Sequence, residues 1–195
     1  AEKVAAFRSR NELDLAGLGN YFPNEFCTLS DGAGAKRAAL AKQAMALSPD
    51  EGVTFLAGRV LSDAGQHVLA LELVGKLLKR FDPESLAYAR VLEGEIALAQ
   101  KDPRKAIERF KTAQQFADSW LGRFGLGRAY LEAGAIAEAD SEFDLCVKRR
   151  GEATAALLDD FPTYRYAAPV LYYQGRVDEA LGSPGAADSY KAFLE

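Results

Sequence analysis

Apolar residues return every three to four positions through most of the chain, in long segments of Ala, Leu, Glu, Arg and Lys. That spacing predicts amphipathic helices, and runs of alternating β-branched residues, the mark of strands, are missing. The expected fold is therefore all-α. The stretch 120-WLGRFGLGRAYLEAG-134 is representative, because its helical pattern begins near Trp120 and stops at Gly134. It also raises a question of chemistry, since a Gly-Leu-Gly-Arg run can belong to a phosphate-binding loop. Such a loop needs a preceding strand and a helix N-terminus whose free N–H groups face the anion. Neither context is present, so Gly125 and Gly127 read as packing positions inside a helix.

A repeat emerges when a glycine is taken as anchor and twelve residues are counted forward to an alanine. Gly58 leads to Ala70, Gly94 to Ala106, Gly127 to Ala139 and Gly175 to Ala187. Seven residues beyond the anchor stands a second glycine, at Gly65, Gly134 and Gly182, with Lys101 in that place in one copy. Glycine there suits the left-handed end of a helix. A second helix then starts, and 102-DP-103 and 183-SP-184 supply an N-cap and a first-turn proline. Each copy is thus a helical hairpin, small where its two helices cross. Larger residues such as Leu126, Tyr130, Phe143 and Leu145 fill the rest of the seam. One such hairpin cannot bury its apolar faces alone, whereas a stack can.

The best copy reads Arg123-x2-Leu126-Gly127-x2-Tyr130, then Ala139-x3-Phe143. This resembles the tetratricopeptide repeat, whose two helices carry W-x2-L-G-x2-Y and A-x3-F. The copy before it keeps Gly94 and Ala106-x3-Phe110, and the one before that keeps Gly58 and Ala70-x3-Val74. The last copy has Gly175 and Ala187, with aromatics at Tyr190 and Phe193 displaced from the usual place. The resemblance implies a right-handed superhelical α-solenoid of antiparallel helix pairs over 36–195. Its copies fall near 36–50 (partial), 51–86, 87–119, 120–150 and 168–195, with an insert over 151–167. Residues 1–35 form an N-terminal arm and a degenerate first helix, interrupted by Pro23 and 30-SDGAG-34.

In the insert, Asp160-Phe161-Pro162 is expected to break a helix, because proline disfavours helix in the residue before it. The insert either caps and braces the terminal hairpin or, since Phe161, Tyr164, Arg165 and Tyr166 have the composition of an interface, forms a candidate insert surface. The segments RGEATAALLDD, PTYRY, YQGR and SYKAFL resemble the tetratricopeptide tails of bacterial eukaryotic-like Ser/Thr kinases and winged-helix regulators.

First helices line the concave face in this family. Residues three before and one after each anchor share a helix face, being four apart. They are Phe55 and Arg59, Val91 and Glu95, Phe124 and Arg128, Tyr172 and Arg176. The expected groove is a stripe of rings beside a stripe of guanidinium groups, suited to a peptide or protein segment carrying acidic residues. The alternative is that the arginines pair internally with Glu95, Glu132 or Glu179 and cover the rings with their stems.

Composition adds mostly exclusions. With 195 residues, 49% hydrophobic and 27% charged, the chain belongs to the globular class. A net charge of -4 without a basic stripe gives no reason to expect nucleic acid. No apolar run reaches the length of a membrane span. Cys27 and Cys146 have no neighbour at metal-ligand spacing, His67 stands alone, and 159-DD-160 is not an acid/base pair without a cleft. No enzyme, metal or cofactor is expected. The function expected is a protein-binding scaffold, with a regulatory or self-association tail of a larger bacterial signalling protein as the alternative. A cytoplasmic location is expected, with the periplasm left open because the chain lacks an initiating methionine and reads as a processed or excised piece.

Overall fold

The computed structural model describes residues 31–48, 50–155 and 164–194. Among these residues the chain is all-helical, with nine α-helices, one 3-10 segment and no strand. Helix α1 (Asp31–Leu47) precedes four hairpins. They are α2 (Glu51–Asp63) with α3 (His67–Leu78), α4 (Pro83–Ala99) with α5 (Pro103–Phe116), α6 (Trp120–Glu132) with α7 (Ile136–Lys148), and α8 (Tyr164–Ala180) with α9 (Ala186–Leu194). The 3-10 segment Arg150–Ala155 follows α7.

Four helix starts are set by side-chain caps that satisfy N–H groups left without a partner in the first turn. Asp50, Asp82, Asp102 and Ser119 accept from the N–H of Val53, Ser85, Lys105 and Gly122 at 2.8, 2.7, 3.1 and 3.1 Å. Pro83 and Pro103 sit just inside, where no N–H is needed. The turn inside each hairpin closes in one way. A residue with positive φ follows the first helix: Gly65 at 74°, Lys101 at 62°, Gly134 at 77° and Gly182 at 66°. The next N–H then reaches five residues back, from Gln66 to Leu61, Asp102 to Ala97, Ala135 to Tyr130 and Ser183 to Asp178, at 2.8–2.9 Å. This is the Schellman closure, with Lys101 adopting the glycine conformation at the place where it replaces glycine.

Every helix packs on its successor in the chain. In addition α2 touches α4, α4 touches α6 and α6 touches α8, while no comparable contact joins α3, α5, α7 and α9 to one another. Ala70, Ala106 and Ala139 are fully buried at the crossings. The anchoring glycines make room for bulky neighbours. A Cβ on Gly94, Gly127 or Gly175 would stand 2.7, 2.7 and 2.6 Å from the rings of Phe110, Phe143 and Tyr190. At Gly58 the neighbour is Leu92 of the next first helix. Gly125 faces Phe110, so that ring sits between notches on α4 and α6. Gly125 and Gly127 are therefore packing positions, while Gly134 ends the helix.

Three expectations need correcting. Ala187 is exposed and does not occupy the crossing; Tyr190 meets Gly175 one residue earlier than Phe110 and Phe143 meet their glycines. Ser183-Pro184 does not cap α9, because the turn continues to Gly185, whose N–H donates to the Ser183 hydroxyl at 3.3 Å, and α9 starts at Ala186. The degenerate first helix expected within residues 1–35 falls mostly outside the described residues, and α1 starts at Asp31. Helix α8 also begins at Tyr164, earlier than the expected Ala168, and carries Pro169 inside it.

Candidate functional site

The four first helices present one shared face, and its residues divide sharply. Phe55, Val91 and Phe124 are 0–1% exposed, so the expected stripe of rings belongs to the core and offers no surface to a partner. Each first helix has neighbours on both sides, and apolar side chains one helical turn below an arginine are sealed by those neighbours and by the arginine stem. The Arg59 guanidinium lies 5.6 Å from the Phe55 ring centre, and Arg128 lies 5.8 and 5.9 Å from Phe124 and Tyr173. Tyr172 is half-buried and turns to the last hairpin, with its ring 5.8 Å from both Tyr190 and Phe193. Tyr173, which spacing did not single out, takes the place against Phe124 and Phe143 at 5.5 and 5.4 Å.

The charged half of the pattern does come together. Glu95 on α4 accepts ion pairs from Arg59 on α2 and Arg128 on α6, at 3.4 and 3.6 Å. Arg176 on α8 pairs with Glu132 on α6 at 3.5 Å. Glu95, the acidic exception among four otherwise basic positions, thus bridges its two neighbours. The Arg59 and Glu95 side chains are 3% and 2% exposed and Arg128 is 12%, whereas Arg176 is 28% exposed.

Two further residues join this face. Asp63 stands four residues after Arg59, and its pKa is raised to about 7, first by burial and then by the nearby Glu95 charge; Arg59, Arg128 and Arg37 oppose the shift. Ser62 is 3% exposed, and its hydroxyl has no hydrogen-bond partner. Both lie within one turn of Arg59, so helical spacing was a sufficient signal for them. For the candidate insert surface, Phe161 lies outside the described residues, and Tyr164, Arg165 and Tyr166 start α8, where their backbone alone is described.

Elsewhere, the ionisable groups of one cleft are committed to structure. This cleft, at the N-terminal ends of α4 and α6, is lined by Asp82, Glu84, Tyr88, Asp118, Trp120 and Glu152. Asp82 caps α4, Glu84 accepts from the Tyr88 hydroxyl at 2.9 Å, and Asp118 and Glu152 are held by Arg149. Cys146 is buried and its thiol pushed up to about 12 by burial, which leaves no thiolate for nucleophilic chemistry. Among the described residues no group of His, Cys, Asp and Glu is placed to hold a metal, and no helix is long and apolar enough to cross a membrane. Cys27 lies outside the described residues.

No protein-family model and no curated protein sequence matches this chain.

Proposed function

We propose that the chain is a protein-protein interaction scaffold: a right-handed tetratricopeptide-like α-solenoid whose first-helix face takes a segment of another protein, with no catalysis of its own. The observation carrying this reading is the row of contacts from α2 to α4 to α6 to α8, with no comparable contacts among the second helices. Helices that touch one another lie closer together than helices that do not, which favours a curved array with the first helices inside. A concave face of this kind is where repeat arrays bind extended partners.

The chemistry of that face is ionic. Arg59, Arg128 and Arg176 set three guanidinium groups against the single carboxylate of Glu95 across four helices, with Asp63 and Ser62 beside them. A bound segment would place carboxylates toward the arginines, above all Arg176 at the more exposed end, and donors toward Glu95 and Asp63. The rings beneath hold the arginine stems in place and make no contact with the partner.

Selection from a random peptide display library tests this. Enriched peptides should be rich in Asp and Glu, and their binding should fall at least tenfold in Arg176→Glu, a substitution at a half-exposed pair that leaves the core intact. Failure to enrich any sequence, or binding indifferent to Arg176→Glu, would refute the reading.

A further inference from the structure

Glycine inside a helix is destabilising relative to alanine, so each one calls for a reason. At five of them the reason is a crossing. A Cβ on Gly58, Gly94, Gly125, Gly127 or Gly175 would come within 3.0 Å of another side chain. Like Gly34 in the first turn of α1, Gly75 in the last turn of α3 breaks that rule: a Cβ there would meet nothing within 4 Å. Its notch opens outward.

The residues around the notch are equally out of place. Val68 is 74% exposed and Leu71 47%; with Gly75 and half-buried Leu78 they make a stripe at spacings of three, four and three. The sister helices provide an internal control. Counting from the buried Ala106 and Ala139, the same positions hold Arg104, Ile107, Lys111 and Gln114 in α5, and Ala137, Asp140, Asp144 and Val147 in α7. Charged or polar residues stand at most of them. Just beyond α3, Phe81 is 81% exposed and holds a positive φ of 63°, unfavourable for an aromatic residue on both counts.

We propose that the outer face of α3 is a self-association surface that pairs antiparallel with α3 of a second copy, crossing at Gly75. A three-four spaced apolar seam is the helix-pairing pattern, and a small residue at the crossing lets the backbones approach. With the twofold axis at Gly75 the surface is complementary to itself. Leu71 meets Leu78 of the second copy, and Val68 meets its Phe81. Glu72, which has no ion-pair partner among the described residues, meets Lys79 of the second copy, and the same pair forms again by symmetry. Such mutual matching is what an isologous interface requires. The surface belongs to a second helix, so it is independent of the reading of the first-helix face and leaves that face open. Four apolar side chains per copy fall short of the roughly 800 Å² per partner of a standard interface, so the dimer is weak.

Sedimentation equilibrium on the whole 195-residue chain, from low-micromolar to near-millimolar concentration, tests this. A reversible monomer-dimer equilibrium is expected. Gly75→Gln extends into open space and favours helix, so its thermal melt should be unchanged or higher while dimerisation weakens at least tenfold. Val68→Lys should do the same to the dimer. Glu72→Lys and Lys79→Glu should each weaken it several-fold, and the double variant should restore it, which only the antiparallel register allows. The proposal is overturned by a chain that stays monomeric throughout, as it would if residues 1–30 or another protein covered the stripe. A dimer indifferent to Gly75→Gln, or a charge-swapped double variant that fails to recover, overturns it equally.

Discussion

The middle hairpins, α4–α5 and α6–α7, and the terminal hairpin, α8–α9, pack an aromatic ring over a glycine in different registers. In the middle pair, Phe110 and Phe143 are completely buried, each follows its glycine by sixteen residues, and Ala106 and Ala139 fill the crossing. In the terminal hairpin the interval is fifteen, Ala187 is exposed, and a half-buried Tyr190 covers Gly175 while donating its hydroxyl to Glu179 at 2.9 Å. The alanine position slides and the ring stays in the notch. Ring against glycine is therefore the element that organises these hairpins, and the small residue on the second helix follows from it.

The largest test of this comparison removes the rings. Phe110→Ala should cost about 3–5 kcal/mol, because it empties two notches at once. Tyr190→Ala should cost roughly 1–2 kcal/mol, because a half-buried ring in the last hairpin relaxes more easily. Urea denaturation of both variants decides it, and equal losses would remove the distinction between middle and end. Breaking the ionic face comes next. Glu95→Ala strands Arg59 and Arg128 in a buried site and should cost about 3 kcal/mol, against less than about 1 kcal/mol for Glu132→Ala at the exposed Arg176 pair.

Asp63 makes the same face sensitive to pH. Its folded pKa of about 7 lies above the ordinary 3.8, so the native state holds this proton more tightly than the unfolded chain. Stability from this group is complete below about pH 4 and lost as pH rises to 7. Asp63→Asn should therefore gain on the native protein progressively across that window and then level off, as measured by chemical denaturation at several pH values. The smallest effect is expected at the turns. Lys101→Gly should stabilise α4–α5 by about 0.5–1 kcal/mol, and Gly182→Lys should destabilise α8–α9 by a similar amount, since one left-handed conformation serves both.

Much of the helix framework was legible because its signals are local. A cap, a first-turn proline or a left-handed residue acts within four or five positions, which is why Lys101 marks the same turn as Gly65 and Gly134. Ser183-Pro184 misled because Gly185 follows, and two overlapping turn signals leave the start of α9 undetermined until the Tyr190 ring finds its seat. The ionic partners were legible in part, as Glu95 and Glu132 stood among the anticipated acceptors. The fate of the rings was not. Helical spacing says which residues share a face, and it is silent on which neighbouring helix closes over them; Phe55, Val91 and Phe124 share a face with charges and are nevertheless core. Tyr173 escaped notice for the complementary reason, since its role depends wholly on Phe124 and Phe143 from another hairpin.

The position of Phe110 has a consequence for how the molecule comes apart. Its ring is held by Gly94 of its own hairpin and by Gly125 of the next, so neither hairpin can open without exposing the same side chain. If each hairpin is counted as a unit, that shared ring belongs to the coupling energy between neighbouring units and not to either unit alone. Helices α4, α5 and α6 should consequently lose amide protection together in hydrogen exchange, as one cooperative block. The α9 end, whose ring answers to a single notch, is free to fray on its own.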